Sequence, residues 1–138
     1  MTIAVLMTCH NRCEKTLRCL DSLFAQTLAP NFQIAVWLVD DGSTDATSTV
    51  VHARFPSVRI ISGSGSLFWC GGMRLAWEHA AESKPATFLW LNDDVVLAPD
   101  ALARLQATAA LHPEAIVVGS CACPEHGGGT YGGLRRAG

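Results

Sequence analysis

Two adjacent carboxylates, Asp93 and Asp94, follow the amide Asn92 at the end of an uninterrupted run of apolar or β-forming residues from Thr87 to Leu91. Such a run predicts a strand buried on both faces, and we expect the carboxylates to lie outside it, in an opening at its carboxyl end. Open α/β sheets bind ligands at that end of their strands. Side-by-side carboxylates there can hold a hard divalent cation that carries a phosphate. The pattern therefore indicates a site for a metal ion and a nucleotide.

The alternative interpretation of this pair is a solvated turn ahead of Pro99. We favour the metal, because two like charges at the end of a buried strand repel one another unless a cation or hydrogen-bond donors compensate them. Mg²⁺ or Mn²⁺ takes one or two carboxylates and completes its shell with substrate phosphate and water. As a Lewis acid it would stabilise the charge that appears on a departing diphosphate.

Two other apolar runs also end in polar clusters, at residues 8–12 and 40–45. Because parallel strands bring their carboxyl ends to one edge of a sheet, the three clusters can meet a single ligand. We expect Asp45 to cap the following helix. In the doublet before it, one carboxylate, Asp40 or Asp41, can serve as a cap while the other faces the cleft, and we expect Asp41 to contact the ligand.

These clusters depend on alternating strands and helices, which predict an α/β fold with a mostly parallel sheet and helices on both faces. Apolar residues at helical spacing place Trp77 in the core, and Trp90 is expected there from its place in the apolar run. The predicted strands are Ile3 to Met7, Ile34 to Val39, Val58 to Ile61, Thr87 to Leu91 and Ala115 to Val118, and the predicted helices carry Leu17 to Phe24, Val50 to Ala53, Met73 to Ala81 and Leu102 to Ala109.

The bulk composition fits one domain with a buried sheet, since the chain has 138 residues, 49% of them hydrophobic and 16% charged. The net charge is −2 and the only basic pair is Arg135-Arg136, so nothing indicates a nucleic-acid polymer as partner. The uncharged stretch from Ile60 to Met73 is rich in glycine and serine and is no transmembrane segment. The start of the chain lacks a basic region and a cleavage site, so we expect a cytoplasmic protein.

Six cysteines are present, and none forms a Cys-x-x-Cys pair. The one cluster, Cys121, Cys123 and His126, lacks a fourth ligand for a structural zinc ion. We therefore expect reduced, mostly buried thiols. The roles of these three residues stay open.

Three segments resemble the successive motifs of the family-2 glycosyltransferases in order and spacing: Val5 to Arg12, Trp37 to Asp45, and Leu91 to Val95 with Asp100-Ala101-Leu102 after it. The resemblance covers essentially the whole chain. It implies a GT-A type fold, a nucleoside-diphosphate sugar donor, a Mn²⁺ or Mg²⁺ ion, and inverting transfer to a hydroxyl of a glycan or lipid-linked acceptor. Cell-surface polysaccharide or glycolipid synthesis, with peripheral membrane contact of the full-length enzyme, would follow.

The resemblance also implies roles for single residues. Thr8 and Asp41 match positions around the nucleobase, and Asn11 and Arg12 match the loop that opens onto the donor. Asp93 and Asp94 match the DxD-type motif, the first directed to the ribose and the second to the metal.

The sequence departs from the common pattern at Asn92, where many relatives have Asp or a small polar residue. The Asn-Asp-Asp-Val form, together with the segment from Gly65 to Trp69, is similar to members that transfer deoxyhexoses such as rhamnose. We expect the glycine-rich loop from Gly63 to Gly72 to form a wall on the donor side, with Gly65 at the nucleotide. The alternative for Phe68 and Trp69 is that they fold into the core.

An inverting transfer needs a general base, and in the resembled family this carboxylate lies in a second, acceptor-binding half. No Asp or Glu follows Glu125 in this sequence. We therefore expect residues 1–120 to form the nucleotide-sugar-binding domain and residues 121–138 a glycine-rich tail leading toward an absent acceptor-binding half. On this view the chain alone is inactive in transfer.

Two other functions are compatible with a nucleotide and metal site. A sugar-phosphate nucleotidyltransferase would be expected to carry a glycine-rich, basic phosphate loop near the N-terminus, and the segment from Thr8 to Lys15 contains no glycine. A non-catalytic nucleotide-sugar-binding module that serves a partner chain stays open, because no general base is visible under either interpretation.

Overall fold

The protein is described by a computed structural model that covers residues 1–122 and 129–131. Helices and strands alternate over most of this range, as the sequence predicts. In chain order they are β1 (Thr2–Cys9), α1 (Cys13–Phe24), β2 (Gln33–Asp40), α2 (Thr47–Arg54), β3 (Arg59–Ser62), α3 (Phe68–Ala81), β4 (Thr87–Trp90), α4 (Ala101–Leu111), β5 (Cys121–Ala122) and β6 (Gly129–Tyr131).

The first four strands form one parallel sheet in the order β3-β2-β1-β4. The central strand, β1, pairs Cys9 with Asp40 of β2 and Leu6 with Trp90 of β4. The carboxyl ends of β1, β2 and β4 therefore open at the same edge of the sheet, so that the three polar clusters meet there.

Both faces of the sheet are covered by helices, which confirms the predicted α/β class. Along β1 the side chains alternate between the faces, with Val5 and Met7 on one and Leu6 on the other, all fully buried. The first face packs against buried residues of α1, α2 and α4, among them Leu20, Val51 and Leu102, and the second against Met73, Ala76 and Ala80 of α3.

The third helix begins earlier than the sequence predicts. The glycine pattern indicates a loop as far as Gly72, but α3 starts at Phe68 and includes Gly71 and Gly72. A Cβ atom on Gly72 would lie 2.2 Å from Oγ1 of Thr8 on β1. Glycine at this position therefore lets α3 pack directly on the central strand.

The environment of β4 corrects two predictions. Trp77 and Trp90 were expected in the core, but each is 45% exposed. The predicted strand from Ala115 to Val118 is absent, and Ile116 in it is 94% exposed. Within the described part of the chain, β4 pairs with β1 along one edge and with no strand along the other. As an edge strand it is less buried than its apolar sequence predicts.

Residues 121–138 are predicted to form a glycine-rich tail. Within the described part of this segment, the structure pairs β5 with β6 in a small antiparallel sheet. Cys123, Glu125 and His126 lie outside the described residues, so the interpretation of that cluster stays a prediction. Within the described ranges, none of the helices is long and apolar enough to cross a membrane.

Candidate functional site

A cleft of about 240 Å³ opens at the carboxyl ends of β1, β2 and β4. Four of the residues predicted for the site line it, one or two from each polar cluster: Thr8, Arg12, Asp41 and Asp93. Thr8 and Asp41 lie at the ends of neighbouring strands, and the turn after β4 brings in Asp93. The fold therefore brings the three polar clusters to one cavity.

The Asp41 carboxylate holds the glycine-rich loop against the sheet. Its Oδ1 atom accepts a hydrogen bond of 2.7 Å from the Gly65 N–H, and its Oδ2 atom accepts bonds of 2.9 and 3.0 Å from the N–H groups of Leu67 and Phe68. The last two donors are the N-cap residue Leu67 and the first residue of α3, Phe68, so the Asp41 carboxylate caps the N-terminus of this helix. A carboxylate has about four lone-pair sites, which leaves one for a ligand.

The first member of the doublet, Asp40, serves the turn that follows its own strand. Its Oδ1 atom accepts a bond of 3.0 Å from the Ser43 N–H, and its Oδ2 atom accepts a bond from the Ser48 hydroxyl. Asp40 does not line the cleft, whereas Asp41 does. Asp41 therefore faces the cleft and also binds the N-terminus of α3, whereas Asp40 stabilises the turn after β2.

Asn11, predicted to lie near the donor, connects two loops. Its backbone adopts a positive φ of 51°, and its side-chain oxygen accepts bonds of 2.7 and 3.2 Å from the N–H groups of Thr44 and Asp45. It borders a second cavity of about 420 Å³ that Arg12 also lines. In this structure Asn11 shapes the rim of the site and does not line the 240 Å³ cleft.

Asp45 is the helix cap that the sequence predicts. Its Oδ1 atom accepts a bond of 2.9 Å from the Thr47 N–H at the start of α2, and its Oδ2 atom accepts a bond of 3.2 Å from the Cys13 N–H at the start of α1. Hydrogen bonds from the Thr47 hydroxyl and N–H stabilise the ionised form and lower the pKa of Asp45.

One nitrogen of Arg12 bridges the carboxylate pair. Its Nη1 atom lies 3.3 Å from Oδ1 of Asp93 and 3.2 Å from Oδ2 of Asp94. The side chain of Asp94 is 40% exposed and that of Asp93 only 8%. Asp93 therefore lines the opening at the carboxyl end of β4 but is nearly buried there, and Arg12 supplies a positive charge beside it.

The burial of Asp93 is only partly compensated. Within the described residues, its Oδ2 atom has no hydrogen-bond partner. Burial raises the pKa of Asp93, and the nearby Arg12 guanidinium opposes this rise without cancelling it. The Oδ2 atom of Asp93 can therefore accept a hydrogen bond or bind a cation.

These residues suit a divalent cation. Asp93 and Asp94 offer hard oxygen atoms, one of them unpartnered, and Mg²⁺ or Mn²⁺ completes its shell with phosphate and water when the protein supplies one or two carboxylates. No group of three or more His, Cys, Asp or Glu side chains is placed to hold a metal ion in the described part of the chain. The fit is therefore to a cation that shares its shell with a bound phosphate.

A thiol also lines the cleft. Burial raises the pKa of Cys9 far above its ordinary value, and the charges of Asp40 and Asp93 add to the effect. Burial likewise raises the pKa of Cys19 to about 12. Both thiols are therefore protonated at neutral pH. Cys9 forms an uncharged part of the cleft wall and does not act as a nucleophile.

Two aromatic side chains complete the cleft, and sequence reasoning had left them undecided between the core and the donor wall. Phe68 is 80% exposed and Trp69 is 47% exposed, and both line the cavity. The indole N–H of Trp69 donates a bond of 2.9 Å to Oδ1 of Asn92, which links α3 to the Asn-Asp-Asp turn. His10 also lines the cleft, and its Nδ1 atom lies 2.7 Å from the carbonyl oxygen of Asp41.

Comparison with sequence families gives one assignment. A family model described as Glycosyl transferase family 2 matches residues 4–137. A search of curated protein sequences found no match.

Solved structures share the fold. A crystal structure of TarS from S. aureus, residues 1–349, has a TM-score of 0.66 at 19% identity over 82% of this chain and 33% of that one. The mannosyltransferase PcManGT from Pyrobaculum calidifontis, in complex with GDP-Man and Mn²⁺, has a TM-score of 0.65 at 20% identity over 78% of this chain and 32% of that one. TarS 1–349 in complex with UDP gives 0.63 at 20% identity, with coverage of 82% and 33%. The chain spans about a third of the length of these structures.

Proposed function

The chain belongs to glycosyltransferase family 2, and on this premise we propose that it is the donor-binding portion of an enzyme that transfers a sugar from a nucleoside-diphosphate sugar to an acceptor hydroxyl. The observation that carries the proposal is the meeting of three polar clusters in one cleft, with Asp41 and Asp93 on its wall. The GT-A fold shared with two structures that hold UDP, or GDP-Man with Mn²⁺, supports it.

We assign the nucleoside to the inner wall of the cleft. Thr8 lies there, 9% exposed, and the lone-pair site that Asp41 keeps free can accept a hydrogen bond from a base N–H. The exposed rings of Phe68 and Trp69 offer flat apolar surfaces on which a base can stack. Gly65, whose N–H is held by Asp41, keeps the backbone of the loop close to this wall.

We assign the diphosphate and its cation to the other side, with Asp93 toward the ribose and Asp94 as the metal ligand. A bound Mn²⁺ or Mg²⁺ would supply Lewis-acid stabilisation of the diphosphate leaving group. Arg12, which lines the same cleft, can pair with phosphate oxygens. These residues hold and orient the donor.

Inverting transfer requires a base for the acceptor hydroxyl, and we assign this role to none of the carboxylates in the cleft. Asp41 is committed to three N–H groups, and Asp93 faces Arg12. We therefore expect the 138-residue chain to bind donor but to turn over poorly. Robust transfer by this chain alone would contradict this assignment.

The binding proposal can be tested by isothermal titration of UDP-, dTDP- and GDP-sugars with and without Mn²⁺. We expect one base to be preferred, metal to increase affinity, and Asp94→Ala to weaken metal-dependent binding by about 10- to 100-fold. Glu78→Ala is the matched control, because Glu78 is an exposed carboxylate in an ion pair with Arg74 outside the cleft. If no nucleotide binds, or if binding ignores both the metal and Asp94→Ala, the site assignment is wrong.

A non-catalytic nucleotide-sugar-binding module is the second candidate. It is favoured because Asp41 and Asp93 are engaged by N–H groups and by Arg12 and neither is assigned as a general base. It differs in one measurable way, since it would bind donor with metal without supporting transfer in any longer form of the chain. A sugar-phosphate nucleotidyltransferase is less favoured, because the segment from Thr8 to Lys15 carries no glycine-rich phosphate loop.

A further inference from the structure

The contact between Arg12 and the two carboxylates differs from an ordinary arginine ion pair. Arg54 places one nitrogen 2.7 and 2.8 Å from both oxygens of a single carboxylate, that of Asp21. Arg12 instead places one nitrogen between two carboxylates, at 3.3 and 3.2 Å. Charge-assisted hydrogen bonds usually measure 2.7–2.9 Å, so Arg12 is held loosely. A single nitrogen of a charged guanidinium, shared by two carboxylates, occupies a position that a bound cation could take.

Asp93 shows that this arrangement is incomplete. The residue is 6% exposed, and its Oδ2 atom has no partner among the residues that the structure describes. A buried carboxylate oxygen without a partner is costly to the folded state. One monovalent guanidinium therefore compensates two carboxylates only in part, and a divalent ion would compensate them more fully.

Arg12 also has space into which it can move. It lines both the 240 Å³ cleft and the 420 Å³ cavity, and Asn11, Glu14 and Lys15 form part of the wall of the larger one. Its side chain is 48% exposed. Displacement of the guanidinium from the carboxylates therefore requires no rearrangement of the core.

We propose that Arg12 is an internal counter-ion that stands in for the divalent cation in the ligand-free protein and is displaced when the cation binds. The proposal rests on the metal site assigned above. A cation arriving alone must compete with Arg12 and binds weakly. When a nucleoside diphosphate accompanies it, the displaced guanidinium finds phosphate oxygens in the same cleft, so that Arg12 couples the binding of metal and nucleotide.

The test is the affinity for Mn²⁺ alone, followed through the electron paramagnetic resonance signal of free Mn²⁺. We expect Arg12→Gln to bind Mn²⁺ about two- to tenfold more tightly than the unaltered chain, because a competing charge is gone. Arg12→Lys, which keeps one charge, should lie between the two. Arg54→Gln removes an arginine of similar exposure, 52%, from an ion pair whose residues do not line the cleft, and it should leave Mn²⁺ affinity unchanged.

Thermal unfolding gives a second measurement that also reports whether the variant folds. Without Arg12 the Asp93 carboxylate is less compensated, so Arg12→Gln should lower the melting temperature in the absence of metal. Saturating Mn²⁺ should then raise the melting temperature of Arg12→Gln by more than that of the unaltered chain. A folded Arg12→Gln variant with unchanged or weaker Mn²⁺ affinity would overturn the proposal.

Titration of UDP and GDP at saturating Mn²⁺ separates this inference from the proposed function. We expect Arg12→Gln to weaken nucleotide binding while it strengthens binding of Mn²⁺ alone. If the unaltered chain binds nucleotide with metal but Arg12→Gln does not tighten Mn²⁺ binding, only the counter-ion proposal falls. If Arg12→Gln tightens Mn²⁺ binding and neither protein binds any nucleotide, the counter-ion proposal stands and the proposed function falls. Absence of Mn²⁺ binding by both proteins would overturn both.

Discussion

The Asp45 carboxylate joins the N-termini of two helices, since it accepts one N–H from Thr47 of α2 and one from Cys13 of α1. Both oxygen atoms are used, each on a different helix. A negative charge at the N-terminus of a helix is stabilised by the backbone dipoles as well as by the hydrogen bonds. The side chain thus contributes to the fixed position of the loops at the rim of the cleft.

This arrangement predicts a pH dependence of stability. Because the hydrogen bonds lower the pKa of Asp45 below the ordinary aspartate value of 3.8, its stabilising contribution is present above that value and is lost as the pH falls through the pKa of the folded state. We expect Asp45→Asn to lower the free energy of unfolding at pH 7, with a difference from the unaltered chain that shrinks below about pH 4. Urea unfolding of both proteins at several pH values measures it. A difference that is constant with pH would contradict the prediction.

Sequence reasoning assigned these single residues with mixed success. The hydrogen bonds of Asp45 to Thr47 and of Asp40 to Ser43 could be predicted, because both follow from local turn chemistry. The three backbone bonds to Asp41 could not, since the donors lie 24 to 27 residues away and their direction depends on how α3 meets the sheet. The contacts proposed for Thr8, Gly65 and Asp94 with ligand stay predictions.

At the scale of elements, α3 is positioned by its glycines as much as by its apolar residues. A Cβ on Gly72 would meet three atoms of the Thr8 side chain, the nearest at 2.2 Å and the farthest at 3.3 Å. A Cβ on Gly71 would meet only the side chain of Leu67, at 3.1 Å or more. Gly72 is therefore needed for the close contact of α3 with β1, whereas Gly71 is not.

The two alanine variants should separate these effects. Alanine favours the helix by about 1 kcal/mol over glycine at either position. Gly72→Ala should nevertheless destabilise the protein by about 1–3 kcal/mol, because α3 must shift away from β1. Gly71→Ala is the matched control and should be close to neutral or mildly stabilising. Chemical denaturation measures both, and equal effects of the two variants would contradict this account.

The strands that the sequence predicts best are those that are buried and paired with a neighbouring strand on both edges. β1 and β2 are buried along most of their length, and both are found within two residues of the predicted ends. β4 and the segment from Ala115 to Val118 have equally apolar sequences, but the described sheet covers β4 on one side and leaves the other segment unpaired. Apolar character alone does not reveal whether a partner strand is present, so burial was overestimated there.

On the scale of the whole molecule, β1 joins two apolar clusters into one cooperative unit. Val5 and Met7 belong to the cluster under α1, α2 and α4, and Leu6 to the cluster under α3. The strand also pairs with neighbours on both edges. Neither cluster can lose β1 without disturbing the other.

We therefore expect a single unfolding transition in which both sides of the sheet take part. Leu6→Ala removes a fully buried side chain from the α3 side and should cost about 2–5 kcal/mol. Tryptophan fluorescence, to which Trp69 and Trp77 of α3 contribute, should give the same midpoint as far-UV circular dichroism before and after the substitution. Separate midpoints for the two probes would show that the faces unfold independently.

The close approach of Gly72 to Thr8 also bears on how the sequence can vary. The clash at position 72 involves the Cβ, Oγ1 and Cγ2 atoms of Thr8, so exchanging threonine for serine does not relieve it. A side chain at position 72 becomes compatible with the same helix placement only when position 8 loses its own Cβ. We expect the two positions to covary among homologous chains, with glycine retained in at least one of them. Because Thr8 also lines the cleft, a substitution at position 8 that accompanies a change at position 72 would also alter the wall that contacts the ligand.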